Sequence, residues 1–338
     1  MGHQEIKLAV AGLTEDQIAA LDGDWSNFSA AEQAAFRYAR RLTHEPHRLH
    51  DDDIGRLRPH YTDLQILEMT MSIAANNSIN RWKEAIGVPQ EEEASRFLTR
   101  ADRPVPTDRP LPLKSFLTPT SDKFQSQRSA LAPVRSAGIE SDLSRVAAAR
   151  RPPLESREQV ERALAACRAR TPRLPLVDDD QARKLLPEDW APGPLPQWVR
   201  LLANFPRDGK SRIVSLRSAD EKGDLQPLFK AQVSWIAARQ DRAWYALGLA
   251  QQRLAALGWS DDQIYKLDGP GDDFTPADRV AFAFARKLTA TPDLIADADV
   301  AELRQHHSDR DVVQMISYLT NRALFDRITE ASGLRLER

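Results

Sequence analysis

The chain is poorest in sulfur nucleophiles: its 338 residues include a single cysteine, Cys167. One thiol excludes an internal disulfide framework and any Cys-x-x-Cys pair within the chain. An excess of one charge is missing as well, since 47 Lys and Arg against 49 Asp and Glu leave a formal net charge of −2. That balance provides no electrostatic footprint for nucleic acid or an anionic membrane. No apolar run approaches the ~20 residues a membrane span needs. The start, Met1-Gly2-His3-Gln4-Glu5, lacks the basic and then apolar regions of a signal peptide. Nowhere does the alternating β-branched pattern of a strand appear. The absences point to a cytoplasmic, all-α protein with neither nucleic acid nor membrane among its partners.

What is present is a repeat, the feature to seek first because missing one misreads the whole fold. An offset of 246 residues sets Gly12 on Gly258 and Gly2 on Gly248. Gly12-Leu13-Thr14-Glu15-Asp16-Gln17-Ile18 then matches Gly258-Trp259-Ser260-Asp261-Asp262-Gln263-Ile264. Ala39-Arg40-Arg41-Leu42-Thr43 matches Ala285-Arg286-Lys287-Leu288-Thr289, and His60, Asp63, Met69, Arg81, Glu84 and Gly87 fall on His306, Asp309, Met315, Arg327, Glu330 and Gly333. About 90 residues align without a gap at about one-third identity. Two copies of one helical domain are expected, the first lacking its front part.

Helix signals recur in both copies. Thr14 with Gln17, Ser29 with Glu32, and Thr62 with Gln65 read as capping boxes. Ser260, Thr275-Pro276 and Ser308 stand at the equivalent starts of the second copy. Before Gly258 the pattern predicts one long unbroken helix from Pro227, containing Ala243-Trp244-Tyr245-Ala246-Leu247-Gly248-Leu249. A polar stretch, Ser218 to Asp224, leads into it, and Trp198, Leu201, Leu202 and Phe205 suggest an amphipathic helix further upstream.

Fourteen of the 22 prolines lie between Pro104 and Pro196, a density that blocks long helices. The expected organisation is therefore a domain over 1–90, a Pro-rich connector over 91–194, and a second domain over 195–338. Short helices are predicted within the connector from Ser156 to Ala169, with Val160, Leu164 and Cys167 on one face, and near Gln181 to Leu186.

The Leu-Ala-x-x-Gly helix end (Leu8-Ala9 to Gly12, Leu254-Ala255 to Gly258), the Ala-Arg-x-Leu-Thr segment and the closing Glu84–Gly87 and Glu330–Gly333 stretches resemble the carboxymuconolactone decarboxylase and AhpD-like alkylhydroperoxidase family. The resemblance covers residues 1–90 and about 195–336. It implies two tandem AhpD-like helical domains forming a pseudo-dimer, assembly through helices into a homo-oligomer, and a small hydroperoxide as substrate. In peroxidase members one thiolate of a Cys-x-x-Cys attacks the peroxide, the second resolves the sulfenic acid, and a histidine one turn on moves protons. In the second copy the cysteine positions fall on Ala243 and Ala246 and the histidine position on Leu249, while Tyr245 and Gly248 keep the rest of the motif. In the first copy only Gly2 and His3 remain of it. Two alternatives stay open: a start lying further upstream, with the cysteines, or a short chain without that chemistry. An antioxidant peroxidase, a binding or scaffold protein retaining the fold, and a cysteine-independent lyase are the functional readings in that order. The chain as given is expected to show no thiol peroxidase turnover.

His3 matters only alongside its cysteines. His60 and His306, equivalent residues just before helix starts, are candidates for proton transfer, with packing at a helix junction as the plainer role. His44, His47 and His50 are spaced by three, but Pro46 interrupts the helix that would align them, so no metal is expected, and no motif calls for a cofactor. Asn76, Asn77 and Asn80, with Arg322, Ala323 and Asp326 as counterparts, form a polar face that lines either a pocket or a subunit contact. Arg81–Glu84 and Arg327–Glu330 read as i,i+3 pairs.

Overall fold

A computed structural model of the chain describes Leu8 and residues 15–21, 23, 25–87, 153–190 and 192–337. Of the described residues, 34–87 and 153–337 belong to one compact unit, and those before Ala34 lie outside it. Among the described residues all regular structure is helical, with no strand. The protein is all-α, as expected. The helices are α1 (Glu15–Ala20), α2 (Ala30–His44), α3 (Asp51–Gly55), α4 (Asp63–Ala85), α5 (Arg157–Arg168), α6 (Asp179–Arg183) and α7 (Gln197–Leu202). There follow α8 (Asp208–Glu221), α9 (Pro227–Asp241), α10 (Trp244–Ala256), α11 (Asp261–Lys266), α12 (Pro276–Ala290), α13 (Asp297–Arg304) and α14 (Asp309–Ala331).

At the offset of 246, α1, α2 and α4 begin and end on the residues equivalent to those bounding α11, α12 and α14. Local chemistry explains the agreement. Ser29 accepts from the Glu32 amide at 3.3 Å while the Glu32 carboxylate accepts from the Ser29 amide at 2.9 Å. Thr275 accepts from the Asp278 amide at 3.1 Å at the same place in the second copy. Thr62–Gln65 and Ser308–Asp311 form the boxes that open α4 and α14. The Thr14 box lies outside the described residues. Two ion pairs recur as well: Arg41–Asp53 at 2.8 Å with Lys287–Asp299 at 2.6 Å, and Arg58–Asp63 at 2.9 Å with Arg304–Asp309 at 2.6 Å. Asp63 and Asp309 thus bind a preceding arginine besides favouring their helix N-termini.

Within the larger unit, α4 and α14 pack against each other, and the Trp82 indole N–H donates to the Ser317 hydroxyl across them at 3.1 Å. Helix α9 is buried nearly all round, between α10, α12 and α14. Its Trp235, with Phe282 of α12 and Leu319 of α14, lies in the core.

The long helix expected from Pro227 to Gly258 is in fact two, α9 and α10, broken at Arg242 and Ala243. Arg242 adopts a left-handed conformation (φ 53°, ψ 39°), its amide donating to the Arg239 carbonyl at 3.3 Å and the Ala243 amide to the Ala238 carbonyl at 2.9 Å. That double closure is a Schellman helix end, a place where glycine is usual. A non-glycine residue there costs roughly 1–2 kcal/mol. The offset comes from Glu155, which pairs with the Arg242 guanidinium and, at 3.1 Å, with that of the buried Arg239. Arg239 also binds Asp268 at 2.8 Å. Hydrophobic periodicity runs through the break because the brace comes from 87 residues away in the chain.

Helix α5 forms where its Ser156 cap and one-sided pattern predict, and Val160, Leu164 and Cys167 are buried. The second short helix, α6, starts earlier and is shorter than Gln181–Leu186. Residues 153–190, read from sequence as connector, add Leu174 and Ala182 to the same core. Most of the proline-dense stretch falls outside the described residues. The polar stretch from Ser218 is the end of α8 rather than a lead-in to α9. Nor do Arg327 and Glu330 pair with each other: Arg327 binds Asp241 at 2.8 Å with both side chains buried, and Glu330 binds Arg170 at 2.5 Å.

Candidate functional site

Breaking the helix puts the stretch from Ala243 to Leu249 at a helix N-terminus. Ala243 is the N-cap of α10 and Ala246 sits in its first turn. Helix N-termini lower thiol pKa values, so these are places where cysteines would be reactive. Alanines leave the orphan amides to another partner: the Glu330 carboxylate accepts from the Trp244 amide at 3.1 Å. Tyr245 is buried, and its hydroxyl donates to Glu337 at 3.2 Å. Burial, with Glu337 beside it, drives the phenol pKa far up. A Cβ on Gly248 would overlap the methyls of Leu336, so glycine here seats the C-terminal segment.

Ala246 and Leu249 turn instead to a cavity of about 270 Å³ between α7, α8, α9, α10 and α14. Its apolar wall includes Trp198, Leu216, Leu249, Ala250 and Phe325. Its polar wall is Asp220, Ser234, Gln252, Arg253, Arg322 and Asp326. Two of the helices supply opposing arginines, Arg253 from α10 and Arg322 from α14, and α8 supplies Asp220 between them.

Asp220 is fully engaged. Arg253 reaches it at 2.8 Å, the Tyr318 hydroxyl donates at 2.7 Å, and Arg322 stands 3.7 Å away. Burial pushes its pKa up, but Arg322, Arg253 and Tyr318 together outweigh burial and hold the carboxyl below its ordinary value. The Ser234 hydroxyl lies 2.9 Å from the Tyr318 oxygen. Asp326 is the opposite case. It is 1 % exposed, its Oδ2 has no hydrogen-bond partner, and burial followed by the neighbouring Asp241 raises its pKa well above the ordinary value against the pull of Arg322 and Arg327. Arg322 is 7 % exposed, its guanidinium stacked over the Phe325 and Tyr318 rings at 5.0 and 5.2 Å, and its Nε also lacks a partner. Burial works against its charge, but Asp220 and Tyr318 prevail and its pKa rises.

The other sequence candidates stand apart from this cavity. His60 and His306 are exposed in the turns before Thr62 and Ser308. His3 lies outside the described residues. His44 ends α2, His47 lies in a 3₁₀ turn and His50 caps α3, so three different elements carry the three histidines. Cys167 is buried against the Leu334 carbonyl, and burial pushes its thiol up to about 11.

Sequence reasoning found Arg322 and Asp326 as a polar face on a buried helix, without deciding what it faced. It missed Asp220, Arg253, Ser234 and Tyr318. Three of these carry no motif around them, and Asp220 sat in a stretch that reads as loop, so their convergence required the fold. At the 246-residue offset the matching face of α4, with Ser72, Asn76, Ile79 and Asn80, is exposed.

No family model matches the chain, and no curated protein matches it. A crystal structure of a variant of the debrominase Bmp8 in complex with 2,3,4-tribromopyrrole is similar over 54% of this chain and 90% of that one, with a TM-score of 0.40 and 14% identity. A likeness that slight bears on neither the site nor the activity.

Proposed function

We propose that the chain carries two AhpD-like helical units in tandem, the second of which recognises a small molecule non-covalently where its relatives by resemblance would place thiol chemistry. The observation that carries this reading is Asp326: a buried carboxyl with an unbonded Oδ2, on the wall of a mostly apolar cavity. A buried polar group without a partner costs ~1–3 kcal/mol. A ligand that supplies the missing partner recovers that cost on binding. Apolar clefts with a few convergent polar groups are the usual form of small-molecule sites, of roughly 300–1,000 Å³.

The peroxidase alternative has little support in these residues. Ala243 and Ala246 carry no nucleophile, and Cys167 stays a thiol at neutral pH because burial disfavours its thiolate.

Ligand-observed NMR with a mixed panel of neutral, anionic and cationic small molecules tests the reading. Wild-type protein is expected to bind at least one chemotype, and Ala246→Phe, which fills the cavity while leaving the charged wall in place, is expected to lose it. Absence of binding by every member, or binding that survives Ala246→Phe, overturns the proposal.

A further inference from the structure

We infer that the ligand of this cavity is a small organic acid, its carboxylate held between the Arg322 Nε–H and an Asp326 that is protonated when the ligand is bound. The inference rests on reading the cavity as a ligand site and adds the chemistry of the ligand.

Consider first the sign of the charge. A cation would meet two guanidinium groups, Arg253 and Arg322, on opposing helices. Asp220, the group that would attract it, already accepts from Arg253 and Tyr318 at 2.8 and 2.7 Å. A carboxylate, in contrast, finds a cavity-lining guanidinium, that of Arg322, whose buried Nε–H lacks a partner. With Asp326 neutral, the two arginines against Asp220 leave the wall one positive charge in excess.

Asp326 completes the match. An ionised Asp326 would repel a second carboxylate, but a protonated one donates O–H to it, and such charge-assisted bonds are the stronger kind. The charged groups facing Asp326 are Asp241 from α9 and Arg322, Arg327 and Glu330 from α14, and Arg327 is already committed to Asp241 at 2.8 Å. Asp241 therefore repels the ionised form of Asp326 while its own charge is compensated by Arg327. Burial acts in the same direction.

Two donors, one from each residue, suit the two oxygens of a carboxylate. The remainder of the ligand is set by Trp198, Phe325, Leu216 and Leu249, which call for an apolar body, and by about 270 Å³ of space, which suits one ring or a short chain.

Two consequences distinguish this ligand from others. Binding takes place with Asp326 protonated, so it weakens as pH rises through the range in which Asp326 would ionise. Replacing Asp326 by asparagine keeps a donor and removes the proton, so binding persists and its pH dependence goes.

The test is calorimetric titration of the full chain with benzoate, benzamide and benzylamine from pH 5 upward. Benzoate is expected to bind at least tenfold more tightly than benzamide at pH 5, with benzylamine weakest and the benzoate advantage shrinking as the pH rises through the ionisation of Asp326. Arg322→Lys, which keeps the charge but loses the directed Nε–H, is expected to weaken benzoate at least fivefold and leave benzamide unchanged. Asp326→Asn is expected to retain benzoate within about threefold and flatten its pH profile. Equal or tighter binding of benzamide or benzylamine refutes the carboxylate assignment while leaving the cavity a ligand site. A pH profile that persists in Asp326→Asn refutes the role of that residue. Failure of all three probes, together with failure of the wider panel, removes the underlying reading as well.

Discussion

Helices α4 and α14 fall on each other at the 246-residue offset, yet their outer faces differ. Each spans 23 residues, opens on a capping box and is preceded by an arginine bound to its first aspartate. Their packed face is shared, since they lie against each other. The opposite faces diverge: Ser72, Asn76 and Asn80 of α4 are exposed, whereas Tyr318, Arg322 and Asp326 of α14 are buried beneath α8, α9 and α10. Ends of helices follow from local hydrogen bonding and so repeat faithfully. Buried polar faces answer to whatever covers them and so are free to differ.

The largest expected effect tests whether burial sets the cost of losing a partner. Asp241→Ala strips the carboxylate from Arg327, and removing one member of a buried pair costs ~3–5 kcal/mol. The equivalent arginine in the first copy, Arg81, binds the neutral Asn77 Oδ1 at 3.0 Å, so Asn77→Ala is expected to cost only about 1 kcal/mol. Urea unfolding of both variants checks the ratio; similar costs would break the comparison.

Next in size is Gly248→Ala. Its Cβ displaces Leu336, and overpacking of this kind costs ~1–3 kcal/mol. Loosening of the C-terminal segment should appear as faster amide exchange at Leu334 and Leu336, whose amides bond to the Thr329 and Cys167 carbonyls.

A pH effect comes third. The folded-state pKa of Asp326 is raised, so the folded protein holds a proton that the unfolded chain releases near pH ~3.9. Its contribution to stability is therefore greatest below that pH and is lost as pH rises toward the raised value. Asp326→Asn should be at least as stable as wild type at pH 7 and lose its advantage in acid. An asparagine variant less stable than wild type at pH 7 would contradict the assignment.

The smallest effect belongs to the surface. Arg304→Ala breaks an exposed pair and should cost below ~1 kcal/mol, and Arg58→Ala should cost somewhat more, because Arg58 also donates to the Arg173 carbonyl at 2.9 Å.

The same division accounts for what the sequence made legible. Caps such as Thr62–Gln65 and Ser308–Asp311, and the one-sided face of α5, are local and were readable to within a residue or so. The break at Arg242 was not, because Glu155 imposes it from far along the chain. The cavity was half legible: Arg322 and Asp326 stood out as polar residues on a helix otherwise suited to burial. Nothing in the local pattern could say that Asp220 and Arg253 would meet them, or that His60 and His306 would lie in exposed turns.

The most direct test of the account compares the affinity of a bound probe in two variants, Cys167→Ser and Ala246→Phe. If the cavity rather than the lone sulfur does the work, affinity is kept in the first and lost in the second. Affinity lost with the sulfur and kept with the cavity filled would contradict it.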